Sequence, residues 1–265
     1  MLKDITVGQF YPGNSLVHKL DPRLKIIIML FYIISLFFVN TYIPYVFIAL
    51  YLLLIIKVAD IPLKIVLKGI RPLKWILLIT FVINLFFIQG EEIFRIGFLS
   101  ITKEGLDTAL KMAIRLVLLV LGTSLLTLTT SPIEMTDGIE ELLNPLKKIK
   151  VPAHEIAMMM TIALRFIPTL IEETDKIMKA QMARGADFES GNILNRAKNL
   201  VPLLVPLFIN SFRRADDLAT AMEARCYRGG EGRTKFRELK LKKADYLTFI
   251  FNIVFFGVII FWRYI

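Results

Sequence analysis

The stretch IIIMLFYIISLFFVNTYIPYVFIALYLLLII, residues 26–56, runs for 31 residues without a charged side chain. One bilayer crossing needs about 20 apolar residues, so a run this long is too much for one helix. Asn40-Thr41 and Pro44 interrupt it near its middle, and such residues break helices. Two crossings joined by a tight turn, at about 24–40 and 42–58, follow from that arithmetic. Further apolar stretches predict crossings at about 73–90, about 109–128 and about 246–263. Several have apolar cores shorter than about 20 residues, and the flanking Lys and Arg are expected to snorkel toward the headgroups.

The rest of the composition fits a lipid-embedded chain. Of 265 residues 55% are apolar, yet Lys+Arg total 33 against 23 Asp+Glu, a formal net charge of +10. A basic chain this apolar does not read as a nucleic-acid binder or as a disordered tail. Its charge is partitioned. Residues 1–25 carry net +2, residues 57–74 net +4, residues 89–128 are balanced and residues 129–244 carry net +4. Basic loops favour the cytoplasmic side. Five crossings therefore predict a multi-pass protein of the cell membrane with a cytoplasmic N-terminus and an external C-terminus. The first 25 residues are mixed-polar, so no cleavable signal is expected. One cysteine excludes a disulfide framework, and two histidines, His18 and His154, offer little for a metal site.

The expected class is an all-α integral membrane protein. Residues 1–128 hold four crossings, 129–244 form a cytoplasmic domain and 245–265 supply the fifth crossing. The cytoplasmic segment reads as long amphipathic helices. Ser131-Pro132-Ile133-Glu134 has the form of a capping box and starts a helix over about 132–144. A second pattern covers about 153–184, with Ile156, Met160, Ala163, Ile167, Leu170, Thr174, Ile177 and Gln181 on one stripe. Glu172–Lys176 and Asp175–Lys179 form acid-before-base pairs elsewhere on it. A third covers about 203–226, with Phe208, Phe212, Ala215, Ala219 and Met222 on its stripe. Such stripes pack against one another or lie in the membrane interface. Met158, Met159, Met160 and Met178 are either core filler or an adaptable surface.

The second and third of these helices end alike, in Ala183-Arg184-Gly185 and Ala224-Arg225-Cys226. One reading is ordinary helix termination, a cation near the C-terminal dipole and Gly185 as a left-handed cap. The other is docking, since small neighbours admit a partner's backbone and an arginine fork suits a carboxylate.

These features resemble the transmembrane T component of energy-coupling factor (ECF) transporters, a family that includes the membrane subunit of cobalt-type systems. The resemblance is carried by Ser15-Leu16-Val17-His18-Lys19-Leu20-Asp21-Pro22-Arg23-Leu24-Lys25, by Leu164-Arg165-Phe166-Ile167-Pro168, by the two helix ends, and by Tyr227 with Arg233-Thr234. It implies a scaffold of an ATP-driven importer of vitamins or trace metal ions. Arg184 and Arg225 would each dock into one of two ABC-type ATPase subunits, with a separate small membrane protein binding the substrate. The family's usual glycine after the second arginine is replaced here by Cys226, which leaves the geometry of that cap open.

The residues point away from an engine. No G-x-x-x-x-G-K-[ST] loop exists, and the glycine-rich Arg228–Arg233 stretch lacks the Lys-Ser/Thr pair that holds phosphate and magnesium. ATP and Mg are therefore expected on the partners, with no cofactor in this chain. A membrane-embedded enzyme would need acids or a Ser/His pair at membrane depth. An autonomous carrier would show more ionisable groups than Arg115, Lys111 and the polar Asn84. Arg115 itself reads either as an interhelical hydrogen-bonding or snorkelling residue, or as a contact to an acidic neighbour.

Overall fold

The computed structural model describes residues 10–96, 99–186, 188, 193–229 and 239–262. Their elements are α1 (Leu16–Lys19), α2 (Pro22–Phe38), α3 (Tyr42–Ala59), α4 (Leu63–Lys68) and α5 (Lys74–Phe87). A hairpin of β1 (Glu92–Ile96) and β2 (Leu99–Thr102) follows, then α6 (Lys103–Thr129), α7 (Pro132–Leu143), α8 (Ala153–Ala183), α9 (Ile193–Ala224) and α10 (Lys243–Phe261). The chain is an all-α membrane protein, as its apolar runs require. It divides into two compact units, one of Gln9–Gly138 with Glu238–Ile265, the other including Ile139–Arg237. The division falls inside α7.

In the first unit, the break in the 26–56 run lies where Asn40 and Thr41 predict it: α2 stops at Phe38 and α3 starts at Tyr42. Asp60, in the left-handed conformation at φ 56°, ends α3. The third apolar stretch is not one straight helix. α5 has only 14 residues, about 21 Å at ~1.5 Å per residue. With α4 and a 3-10 turn at Arg71–Leu73 it makes a 25-residue stretch, Leu63–Phe87, long and apolar enough to cross. α6 begins at Lys103, six residues ahead of the crossing expected from about 109, because the Thr102 hydroxyl accepts from the Gly105 amide and caps it.

Among the described residues, five helical stretches have the length and composition of a crossing: Tyr42–Ala59, Leu63–Phe87, Lys103–Thr129, Ala153–Ala183 and Lys243–Phe261. α2, uncharged from Ile26 onward, has 17 residues, about 26 Å of helix. α8 meets the same standard although its stripe reads as interfacial.

Tyr32 organises the centre of this unit. Its hydroxyl donates to Leu118 O at 2.5 Å, and its ring meets Phe256 edge-on at 5.9 Å. That ties α2 to α6 and α10. Gly122 on α6 makes the approach possible, since a Cβ there would collide with the Tyr32 ring. Leu36, Ile48 and Phe256 are wholly buried around it. Arg115 is an interhelical tie: Nη2 donates to Val39 O at 2.8 Å and Nε to the Tyr45 hydroxyl at 3.1 Å. Val39 is the C-terminal cap of α2, so the guanidinium satisfies a carbonyl that the helix leaves open. The outward faces are apolar and bare. Trp75 is 62% exposed and Phe87 78%, with Leu78, Ile79, Leu247 and Val254 also exposed. In water such a surface would aggregate; in lipid it is solvated.

The hairpin was not visible in the sequence, where 89–108 reads only as an acidic loop, with Glu91, Glu92, Glu104 and Asp107 against Arg95 and Lys103. β1 and β2 pair antiparallel with Ile96 opposite Leu99. Thr102 Oγ1 donates to Ile88 O at 2.7 Å, closing the hairpin onto the end of α5. The short run Ile93–Ile96 ahead of Gly97 was the available signal.

The close contact at Gly122 yields a paired test. Gly122→Ala should destabilise the purified protein by about 1–3 kcal/mol through overpacking against Tyr32. Gly257→Ala, where a Cβ meets nothing within 4 Å, should be neutral or stabilising by about 0.5–1 kcal/mol. Unfolding midpoints in detergent measure both.

Candidate partner-docking site

The two alike sequence ends belong to α8 and α9, which lie antiparallel. Glu173 on α8 receives Asn210 Nδ2 at 2.6 Å and has Arg214 Nη2 at 3.2 Å from its other oxygen. Eight residues further on, Gln181 Nε2 donates to Pro202 O at 3.4 Å. Residue numbers thus rise on α8 as they fall on α9. Arg184 therefore stands beyond one end of the paired region and Arg225 beyond the other, on the order of 40 Å apart along the pair at ~1.5 Å per residue.

Each end is built as a Schellman cap. At the end of α8 the Gly185 amide donates to Met182 O and the Ala186 amide to Gln181 O, both at 3.0 Å, with Gly185 at φ 90°. At the end of α9 the Cys226 amide donates to Glu223 O at 2.8 Å and the Tyr227 amide to Met222 O at 3.0 Å, with Cys226 at φ 56°. The two bond patterns are the same. The question raised by Cys226 is answered: the cap survives without glycine, and Cys226 accepts a left-handed backbone that costs a Cβ-bearing residue roughly 1–2 kcal/mol.

All six residues, Ala183, Arg184, Gly185, Ala224, Arg225 and Cys226, are exposed. Neither arginine is engaged by an acid among the described residues. Each guanidinium sits at a helix C-terminus, where it offsets the dipole, and its hydrogen-bonding fork remains open to solvent. Between them the rod is stiffened by local pairs. Asp175 and Lys179 meet at 2.7 Å. His154 Nδ1 lies 3.0 Å from Glu140 Oε1, joining α7 to the start of α8. The capping box at α7 is closed, with Ser131 N donating to Glu134 Oε2 at 3.2 Å and Glu134 N to Ser131 Oγ at 3.3 Å.

The stripe read on α9 does not face α8. Phe208 and Phe212 are 61% and 69% exposed. Buried Leu203 and the polar Asn210, Ser211 and Arg214 lie toward the interior instead. Hydrophobic periodicity missed this seam because polar residues make it. Asn210 and Arg214, four apart and opposite Glu173, were the signal available. The displaced apolar face of Leu200, Val201, Leu204, Val205, Phe208 and Phe212 is left bare. α9 also starts at Ile193, ahead of the 203 expected from the pattern, and carries Pro202 and Pro206 inside it. Arg233-Thr234 and residues 230–233 of the glycine-rich stretch lie outside the described residues.

Comparison with known proteins identifies the family. The sequence pattern of the CbiQ family, described as a cobalt transport protein, matches residues 13–236. A protein of Clostridium kluyveri called energy-coupling factor transporter transmembrane protein EcfT is 61% identical over 249 residues, covering 93% of this chain and 92% of its own. Proteins of the same name are 56% identical over 265 residues in Ruminiclostridium cellulolyticum, covering 100% and 99%, and 48% identical over 264 residues in Bacillus subtilis, covering 99% and 100%.

The cap geometry makes its own prediction. Cys226→Gly should stabilise the end of α9 by about 1 kcal/mol, and Gly185→Ala should destabilise the end of α8 by a similar amount. Amide hydrogen exchange at Cys226–Tyr227 and at Gly185–Ala186 reads the two changes in opposite directions.

Proposed function

Since the chain belongs to the CbiQ family of cobalt transport proteins and is a transmembrane component of an ECF transporter, we propose that it is the complex's non-catalytic scaffold. In this reading two ABC-type ATPase subunits dock on the two ends of the α8/α9 pair. Arg184 donates its fork to a carboxylate of one subunit and Arg225 to a carboxylate of the other. ATP and Mg are held by those subunits. A separate small membrane protein binds the cargo, a vitamin or a trace metal ion, and leans on the bare apolar face of α9. The protein resides in the cell membrane, with the N-terminus and α7–α9 on the cytoplasmic side and the C-terminus outside.

What supports the reading above all is duplication with separation. Two ends with the same cap, the same exposed arginine and the same small neighbours lie far enough apart for two proteins to bind without collision. The helix dipole accounts for a cation at each end; the repetition of the same arginine between the same small neighbours, with its fork open, is what favours docking. Mechanically, closure of an ATPase pair on ATP draws its docking sites together. A pair of helices tied along a polar seam transmits that displacement as a tilt instead of absorbing it by local bending. The bare apolar face would pass the tilt to the substrate-binding partner and reorient its site.

Charge reversal tests the docking. In complexes co-expressed with the ATPases, Arg184→Glu or Arg225→Glu should each weaken one attachment by about 2–5 kcal/mol, the cost of unpairing a buried interfacial charge. The double variant should purify without ATPase subunits. Both subunits bound at wild-type stoichiometry in the double variant would overturn the assignment.

A further inference from the structure

A cavity of about 460 Å³ lies within the unit formed by Gln9–Gly138 and Glu238–Ile265. Its floor is α2 and α6, at Met29, Tyr32 and Leu125, and its sides are α3 and α10, at Ile55, Val58 and Phe251. Nearly all of the lining is apolar. Val58 and Phe251 are at the same time exposed on the outer surface, as is Leu54 beside them. The cavity therefore opens sideways, between α3 and α10, onto the bare apolar belt that the bilayer must solvate. Along α10 it extends from Asp245 to Phe256, about 16 Å of helix.

One end of the cavity is charged. Four ionisable residues line it there: Lys19, Lys25, Lys242 and Asp245. Two are already used inside the protein. The Lys25 ammonium donates to Thr129 O at 2.9 Å and to His18 O at 3.1 Å, and Asp245 accepts from the backbone amides of Asp21 and Lys242. Lys19 and Lys242 remain, both exposed and neither in an ion pair among the described residues. The mouth thus presents two exposed ammonium groups without an ion pair among the described residues, above a narrow apolar slot. A soluble anion would have no use for the slot, and a neutral lipid none for the lysines. The lateral opening admits a molecule already in the bilayer.

We propose that this cavity holds an anionic glycerophospholipid, one acyl chain between α3 and α10 and the phosphate between Lys19 and Lys242. The volume lies in the range of small-molecule sites. A phosphate at this height is paired by two lysines at the membrane surface, each worth about 1 kcal/mol near an anionic interface. Tyr51 on α3 closes the inner end of the slot against α10, bonding Asn252 and stacking on Phe255 at 4.9 Å, so the acyl chain fills only the remaining space between Leu54–Val58 and Ala244–Phe251 and wedges α10 in the bundle there. The proposal depends on membrane embedding alone, not on the docking of ATPases at Arg184 and Arg225, and the two stand or fall separately.

Native mass spectrometry of the full chain tests it after exchange from vesicles of phosphatidylglycerol or of phosphatidylcholine. One phosphatidylglycerol per chain should be retained, about tenfold or more in preference to phosphatidylcholine. Thr248→Phe, which fills the cavity from α10, should abolish retention, whereas Leu78→Phe on the exposed face of α5 should not. Lys19→Gln with Lys242→Gln, both on the surface and harmless to folding, should erase the headgroup preference. Undiminished retention in a Thr248→Phe protein with an unchanged unfolding midpoint overturns the proposal, as does equal retention of the two lipids by the wild-type chain. A photoreactive residue at Leu54 gives a further reading: cross-links to lipid support the assignment, and cross-links to a protein partner instead overturn it.

Discussion

A lysine ammonium buried among the ends of four helices holds the membrane unit together. Lys25, 7% exposed, could not survive there unpaired, because burying a bare charge costs several kcal/mol. It spends two donors on Thr129 O, at the end of α6, and His18 O, in α1. Around it Asp21 holds Arg23, Arg23 reaches Leu239 O at 3.0 Å, and Asp245 receives the Asp21 amide while capping α10. Beside them His18 Nε2 donates to Tyr11 O at 3.1 Å, with Ser15 Oγ 2.7 Å from its other nitrogen. The segment Ser15–Lys25 is thus a polar knot that joins both ends of the unit's sequence at one level of the bundle. Apolar helices in lipid gain little from hydrophobic burial against each other. Directional bonds of this kind, with Arg115 at Val39 and Tyr32 at Leu118, set which helix lies beside which.

The α8/α9 pair solves a different problem. Its helices are long and separately capped, and polar residues tie them beside buried Leu203, while the bare stripe of α9 fits the other reading of such stripes, a face laid in the membrane interface. Glu173, Asn210 and Arg214 make directional, register-specific contacts that a smooth apolar seam would not impose. That frees the large apolar residues of α9 for another surface. The same economy appears at the ends, where Cys226 adopts a strained left-handed backbone and the cap keeps the form it has at Gly185. The left-handed backbone at Cys226 costs roughly 1–2 kcal/mol, and the cap's hydrogen bonds remain those found at Gly185.

Much of this was legible in the residues. The uncharged run, the break at Asn40-Thr41, the capping box at Ser131–Glu134 and the likeness of the two arginine ends are all local signals, and each stands in the structure where the local chemistry puts it. The hairpin at Glu92–Thr102 was not legible, because its two strands are short and their signal is weaker than the surrounding charge. The inward face of α9 was not legible either, because a polar seam leaves no hydrophobic period. Arg115 offered two readings, and only the position of Val39 O selected between them.

The sequence by itself determined the solvent and the texture of the helices, because hydropathy and charge act residue by residue along the chain. It also marked the two arginines, because a helix end is written within six residues. The tertiary structure alone decided that Lys25, Asp21 and Asp245 form one knot, that Arg184 and Arg225 stand at opposite ends of a single rod, and that α3 and α10 leave a slot between them. These are relations between residues up to 224 positions apart, and no local pattern records which carbonyl a distant lysine will find.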